Sequence, residues 1–182
     1  MLNEHQIPTF KKAKPVYPLS LEKEMNVSLF FVEKVNIQKE GYIQITGNHL
    51  YRVFDNGQLL GYGPARAAHD YYRVDQYLLS KGEHYIVVEH VYYHCNNYCS
   101  TNTAPFLQCE IVEGEEVLAY TGNKEEFLCY QNESRYQKVV RLSYQRAFSE
   151  SYHFETDMLD FYLGKKNPYS LISTNIVNEK EL

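Results

Sequence analysis

The stretch 51-YRVFDNGQLLGYGPARAAHDYYRVD-75 decides the fold. It opens with a strand pattern, Tyr51-Arg52-Val53-Phe54, turns at Asp55-Asn56-Gly57, and returns through Leu59-Leu60-Gly61-Tyr62. Asn-Gly is a strong hairpin signal, because a type I′ turn needs φ > 0 at both central residues and these two accept it at little cost. Gly63-Pro64 ends the second strand, since proline cannot donate to a ladder.

Outward from this hairpin the chain reads as a series of short strands. Residues 1–24 carry Pro8, Pro15 and Pro18 and form an extended lead-in. Val27 to Val32 is a short apolar strand, and Asn36 to Glu40 is a turn. Tyr42-Ile43-Gln44-Ile45-Thr46 alternates, with Ile43 and Ile45 on one face. Asp75 reads as the N-cap of one helical turn, Gln76 to Leu79, closed by Lys81-Gly82. Tyr85 to Tyr93 is the longest β signal and is apolar on both faces, which predicts a central strand covered on each side. A polar loop, His94 to Pro105, leads to a second hairpin: Phe106–Val112 and Glu116–Thr121 around Glu113-Gly114-Glu115. Phe127 to Gln131 and Val139 to Phe148 are further strand candidates. The fold expected is an all-β, jelly-roll-type antiparallel sandwich over residues 25–150, with a short helical turn. Residues 151–182 form an irregular tail: Asp157 to Gly164 suits one or two helical turns, followed by a polar end that acts as a linker or as a strap across the sandwich.

The chain has 182 residues, enough for one domain with a substantial core. A net charge of −5 disfavours a phosphate backbone as the main partner, so nucleic acid is not expected. The N-terminus lacks an apolar signal region, and no apolar run reaches the ~18–20 residues of a membrane span. A soluble, cytoplasmic chain is expected, its four cysteines reduced. Eighteen Tyr and nine Phe, with no Trp, suit either a tyrosine-rich β core or a surface that meets sugars.

The linked segments Gly61-Tyr62-Gly63-Pro64-Ala65-Arg66, Tyr71-Tyr72-Arg73-Val74-Asp75, Leu78-Leu79-Ser80-Lys81-Gly82 and Ile86-Val87-Val88-Glu89, with the later Arg141-Leu142-Ser143-Tyr144-Gln145-Arg146, carry a resemblance. They resemble the N-terminal β-sandwich domain of bacterial α-L-rhamnosidase-like glycoside hydrolases, which is similar to galactose-binding-like jelly rolls. In that family the catalytic acid and base lie in a downstream (α/α) barrel that this chain is too short to encode. The resemblance therefore implies a non-catalytic accessory module, with residues 151–182 leading toward a missing domain. The implied partners are rhamnose-containing glycans or the enzyme's other domains, and a second copy of the chain is the alternative. No cofactor is implied beyond a structural calcium held by loop oxygens such as those of Asp55 or Asp70.

A sugar site needs an aromatic platform and polar forks. Loop and strand-end candidates are Tyr62, Arg66, His69, Tyr71, Tyr72 and Arg73, with a second group of Tyr93, Asn96, Asn97 and Tyr98. The structural alternative is that Arg66 and Arg73 pair with Asp70, Asp75 or Glu89. Glycoside hydrolysis would need two carboxyl groups at a set separation. The pairs available, Glu150 with Glu155 and Asp157 with Asp160, lie where solvated surface charge is the ordinary explanation. His90, His94, Cys95 and Cys99 have a zinc-like Cys-x3-Cys spacing but no second close pair, and nothing marks Cys95 or Cys99 as a nucleophile for His94.

Overall fold

The computed structural model describes residues 8–65, 67–68, 71–155 and 157–178. Its strands are β1 (Val16–Tyr17), β2 (Val27–Ile37), β3 (Gly41–Asn48), β4 (Leu50–Asp55), β5 (Gln58–Gly63), β6 (Asp75–Leu79), β7 (Gly82–Tyr92), β8 (Phe106–Glu113), β9 (Glu116–Tyr120), β10 (Leu128–Gln131), β11 (Leu171–Ile172) and β12 (Asn175–Ile176), with one short helix, α1 (Met158–Tyr162). They form two antiparallel six-stranded sheets. One runs β12-β1-β8-β3-β6, with β9 also on β8; the other runs β11-β10-β2-β7-β4-β5. The molecule is an all-β sandwich. Among the described residues no helix is long and apolar enough to cross a membrane.

The β4–β5 hairpin forms as its turn residues dictate. Asn56 has φ 47° and Gly57 φ 81°, and β4 and β5 pair on either side. The second hairpin, β8–β9, turns at Gly114 with φ 58°.

Strand periodicity sorts the core. Leu29 and Phe31 of β2, Ile43 and Ile45 of β3, Val53 of β4, Ile86 and Val88 of β7, and Cys109 and Ile111 of β8 face one another between the sheets. The alternate residues of β2 and β7 point the other way, yet Phe30, Val32, Tyr85 and Val87 are also buried. The tail covers them. Phe161 of α1 lies 4.7 Å from Phe30, and Tyr169 lies 4.9 Å from it on a second side. Tyr162 continues the cover onto Phe54, 4.7 Å away. Gly164 ends the helix at φ 68° and lies against the Tyr85 ring, where a Cβ would collide. Beyond it β11 joins the edge of one sheet and β12 the edge of the other.

The lead-in is anchored by one buried carboxylate. Glu110 accepts from the backbone N–H groups of Lys11, Lys12 and Ala13 at 2.9–3.0 Å. Three otherwise orphaned donors are satisfied by a single side chain.

Two local expectations are corrected. Residues 75–79 are strand β6, not a capped helical turn. The Asp75 carboxylate accepts from Tyr51 Oη at 2.6 Å and Arg73 Nε at 3.0 Å, so it is not spent on capping. Residues 76–79 also alternate in exposure as a strand requires. Residues 139–148 form no strand. Instead the Arg141 guanidinium donates to the carbonyls of Asn96, Tyr144 and Arg146, folding the segment locally.

Phe161→Ala should cost about 3–5 kcal/mol, the usual price of removing a buried Phe, read from urea unfolding. A loss below about 1 kcal/mol would show that the tail is not part of the cooperative unit.

Candidate functional site

Eight of the ten site candidates lie among the described residues, and five of them line one cleft. Tyr71, Tyr72 and Arg73, from the segment after β5, face Asn97 and Tyr98, from the loop after β7, across a cleft of about 490 Å³. Cis-linked Asn48 and His49, Ser100, Thr101 and Thr103 complete its floor and walls. Tyr71 and Tyr98 stand 73% and 70% exposed, so neither side chain is buried in the core. Tyr72 is held more firmly: its hydroxyl lies 3.2 Å from Thr103 Oγ1, and its ring packs edge-on against Phe106 at 4.9 Å.

The loop wall is pre-shaped by its own hydrogen bonds. Asn97 Oδ1 accepts from the N–H groups of Cys99 and Ser100, and Asn97 Nδ2 donates to Ser100 Oγ. Asn96 Oδ1 accepts from Asn102 N–H, closing the loop from below. Asn96 thus shapes the wall without lining the cleft. Asn48 Nδ2 donates to Thr103 Oγ1 at 2.8 Å.

His49 ties the cleft to the core. Its Nδ1 accepts from Tyr93 N–H at 3.0 Å, so its Nε2–H donates to Thr101 O, also at 3.0 Å. Its ring stacks on Tyr92 at 4.9 Å and on Tyr93 at 5.6 Å. Tyr93 is therefore a support behind the floor. Burial, with a smaller push from His94 against the pull of Thr101 O, holds His49 down to about 4. Burial likewise holds His90, which donates to Asn48 O at 2.7 Å, down to about 4.

Tyr62 lies elsewhere, exposed on the edge strand β5. Arg73 is ion-paired with Asp75 as the structural alternative foresaw, while still lining the cleft. Arg66, His69 and the calcium candidate Asp70 lie outside the described residues. The other calcium candidate, Asp55, is engaged by His84 Nδ1 at 2.8 Å. Among the described residues no group of three or more His, Cys, Asp or Glu is arranged to hold a metal ion. His90 is enclosed in the core, His94 stacks on Tyr92, Cys95 is buried and Cys99 is exposed, so the zinc-like spacing does not become a site.

A second polar cluster lies on β4 and β7. Arg52 donates to Glu89 at 3.2 Å and to both oxygens of Glu150, at 2.9 and 3.0 Å; Tyr152 Oη donates to Glu150 at 3.0 Å. Burial raises Glu89 above the usual carboxylate range, against the opposing pull of Arg52 and Arg135. For Glu150, burial is outweighed by Arg52, Tyr152 and Arg135, and its carboxyl falls below that range. Carboxyls pushed apart in this way can serve as acid and base. Here one guanidinium clamps both and Glu89 is only 2% exposed, so the cluster works as an anchor for residues 150–152. Of the other acidic candidates, Glu155 pairs with His153, Asp157 with Lys166 and Asp160 with Lys165.

Sequence reasoning missed His49, Thr101 and Thr103. Only the topology, which brings the β3–β4 junction beside the loop after β7, could reveal them.

Comparison of the sequence with known protein families and with curated proteins returns no match. The fold is similar to part of the crystal structure of a GH78 family rhamnosidase of Bacillus sp. GL1, with a TM-score of 0.79 at 18% sequence identity. The alignment covers 93% of this chain and 19% of the rhamnosidase chain.

Both histidines should make the fold acid-sensitive. Their folded values lie below the ordinary 6.5, so between about pH 6.5 and 4 the unfolded chain binds protons that the folded chain does not. Stability is full above that window and falls as pH drops through it, by up to about 1.4 kcal/mol per pH unit for each histidine. Glu89, raised by burial, acts in the opposite sense. Urea midpoints from pH 7 to 4.5 should therefore fall less steeply in His49→Gln than in the parent; parallel curves would contradict the assignment.

Proposed function

We propose that this chain is a non-catalytic, carbohydrate-binding β-sandwich module related to the accessory domains of rhamnosidase-like glycoside hydrolases. The observation that carries the proposal is the meeting of Tyr71, Tyr72 and Arg73 with Asn97 and Tyr98 in one cleft. Residues of two separate segments rich in tyrosine, asparagine and arginine line the same space, which supports the reading. The exposed tyrosine side chains offer apolar area for the C–H face of a pyranose, and Thr101 and the Arg73 guanidinium offer polar groups for its hydroxyls. The fold likeness to a rhamnosidase supports rhamnose-containing glycans as the first ligands to try. The pairing of Glu150 with Arg52, Glu155 with His153, Asp157 with Lys166 and Asp160 with Lys165 supports the non-catalytic part. Four free thiols fit the proposed cytoplasmic setting.

A second reading, packing on another domain, has its own observation. Val140, Leu142 and Tyr144 form an apolar ridge, 71%, 72% and 90% exposed, on the segment pinned by Arg141.

Calorimetric titration with L-rhamnose should give saturable binding that weakens about tenfold in Tyr98→Ala, the loss of one stacking contact. Equal binding by parent and variant would move the site elsewhere. Measurable hydrolysis of an aryl rhamnoside by the chain alone would overturn the non-catalytic assignment.

A further inference from the structure

His49 sits at the junction of β3 and β4, where the cleft floor meets the end of β7. Its two ring nitrogens have opposite and fixed duties. Tyr93 N–H is a donor and cannot accept, so Nδ1 must keep a free lone pair. Thr101 O is an acceptor and cannot donate, so Nε2 must carry the proton. Only the neutral ring meets both demands. An imidazolium has two N–H groups, and the second would face the Tyr93 N–H, donor against donor.

The surroundings give a charged ring no compensation. From β7 it faces His90, Tyr92 and Tyr93, and from the loop after β7 it faces His94. Arg52, Arg135 and Glu150 act on Tyr93. Arg73, which lines the same cleft, is a like charge already paired with Asp75. Among the described residues no carboxylate lines the cleft. Burial, with His94 adding to it, holds the ring at about 4 rather than 6.5.

The ring also has somewhere to go. Its backbone is held on both sides: His49 N–H donates to Val91 O at 3.2 Å, and Asn48 O accepts from His90 Nε2 at 2.7 Å. The side chain is stacked on Tyr92 and Tyr93 but borders the cleft. A charged ring regains hydration by turning toward the cleft while the junction stays in place. That movement takes the acceptor from Tyr93 N–H and the donor from Thr101 O.

We infer that His49 latches the cleft only in its neutral form: protonation turns the ring toward the cleft, frees the Thr101 segment and weakens the binding of a sugar there. The latch is a property of the unliganded chain, whereas its effect on a sugar rests on the sugar-binding reading. The latched form binds fewer protons than the released one, so it is complete above about pH 6.5 and is lost as the pH falls toward 4.

Two measurements on the full chain between pH 7 and 4.5 test this. In ¹⁵N spectra of the unliganded chain, the Tyr93 and Thr101 amides should titrate together while those of β2 and β3 hold their positions. Calorimetry should show L-rhamnose bound about tenfold more weakly at pH 4.5 than at pH 7, a usual size for coupling between two sites. His49→Gln, whose side chain does not titrate, should lose most of that pH dependence; its fold is checked by thermal unfolding, and the amide titration of the parent needs no variant. Tyr93 and Thr101 amides that do not move, or that change only as the whole sandwich unfolds, would overturn the latch. Titrating amides with unchanged rhamnose affinity would overturn its link to binding. A pH dependence retained in His49→Gln would overturn the part given to His49. Absence of rhamnose binding at pH 7 would overturn the sugar-binding reading and leave the latch to be decided by the amides.

Discussion

Strand β7 must be buried on both of its faces, and much of the structure follows from that. Its inward residues Ile86 and Val88 meet the opposite sheet, while Tyr85 and Val87 face outward and would lie in water if the sandwich ended at its two sheets. Covering a side chain of this kind is worth about 1.5–3 kcal/mol. Residues 158–172 supply the cover through Phe161, Tyr162 and Tyr169, and the same segment goes on to add an edge strand. Two-sided burial also explains why the outward acid of this strand, Glu89, needs Arg52 and Asn132 as partners. An unpaired carboxylate there would carry a desolvation cost of several kcal/mol.

The same strand delivers the cleft. Where β7 ends, Tyr92 and Tyr93 stack on His49, and His49 in turn holds the carbonyl of Thr101 in the cleft wall. A wall so connected to the core would lose little conformational freedom on binding the proposed ligand. Asn97, with its side chain turned onto the backbone of Cys99 and Ser100, does the same for the loop itself. The ridge of Val140, Leu142 and Tyr144 lies beyond this loop and is joined to it by Arg141 and by the bond from Tyr98 N–H to Gln145 O.

Local chemistry was legible wherever it was decided locally. Asn56-Gly57 demanded its turn, Gly164 its helix stop, and the two-faced apolar pattern of Tyr85 to Tyr93 a central strand, because each depends on backbone sterics or on strand period alone. Asp75 misled because a carboxylate before a run of good helix residues looks like a cap. Its real partners, Tyr51 and Arg73, are set by tertiary packing and by a neighbour two residues back. Val139 to Phe148 misled because β-branched and aromatic residues favour strands only when an edge is free to receive them. The aromatic half of the cleft could be chosen from composition and loop position. The polar half contributed by His49, Thr101 and Thr103 could not, since it depends on which loops the sheet order brings side by side.

The proposed function turns on whether Tyr71–Arg73 and Asn97–Thr103 bind ligand as one surface. Amide chemical-shift mapping of the ¹⁵N-labelled chain during titration with L-rhamnose tests it most directly. A single binding surface predicts saturable shifts confined to residues 71–73 and 97–103, together with the backbone of Asn48 and His49 beneath them. Shifts concentrated on Val140 to Tyr144, or none at millimolar sugar, would contradict it and leave the module as a packing surface.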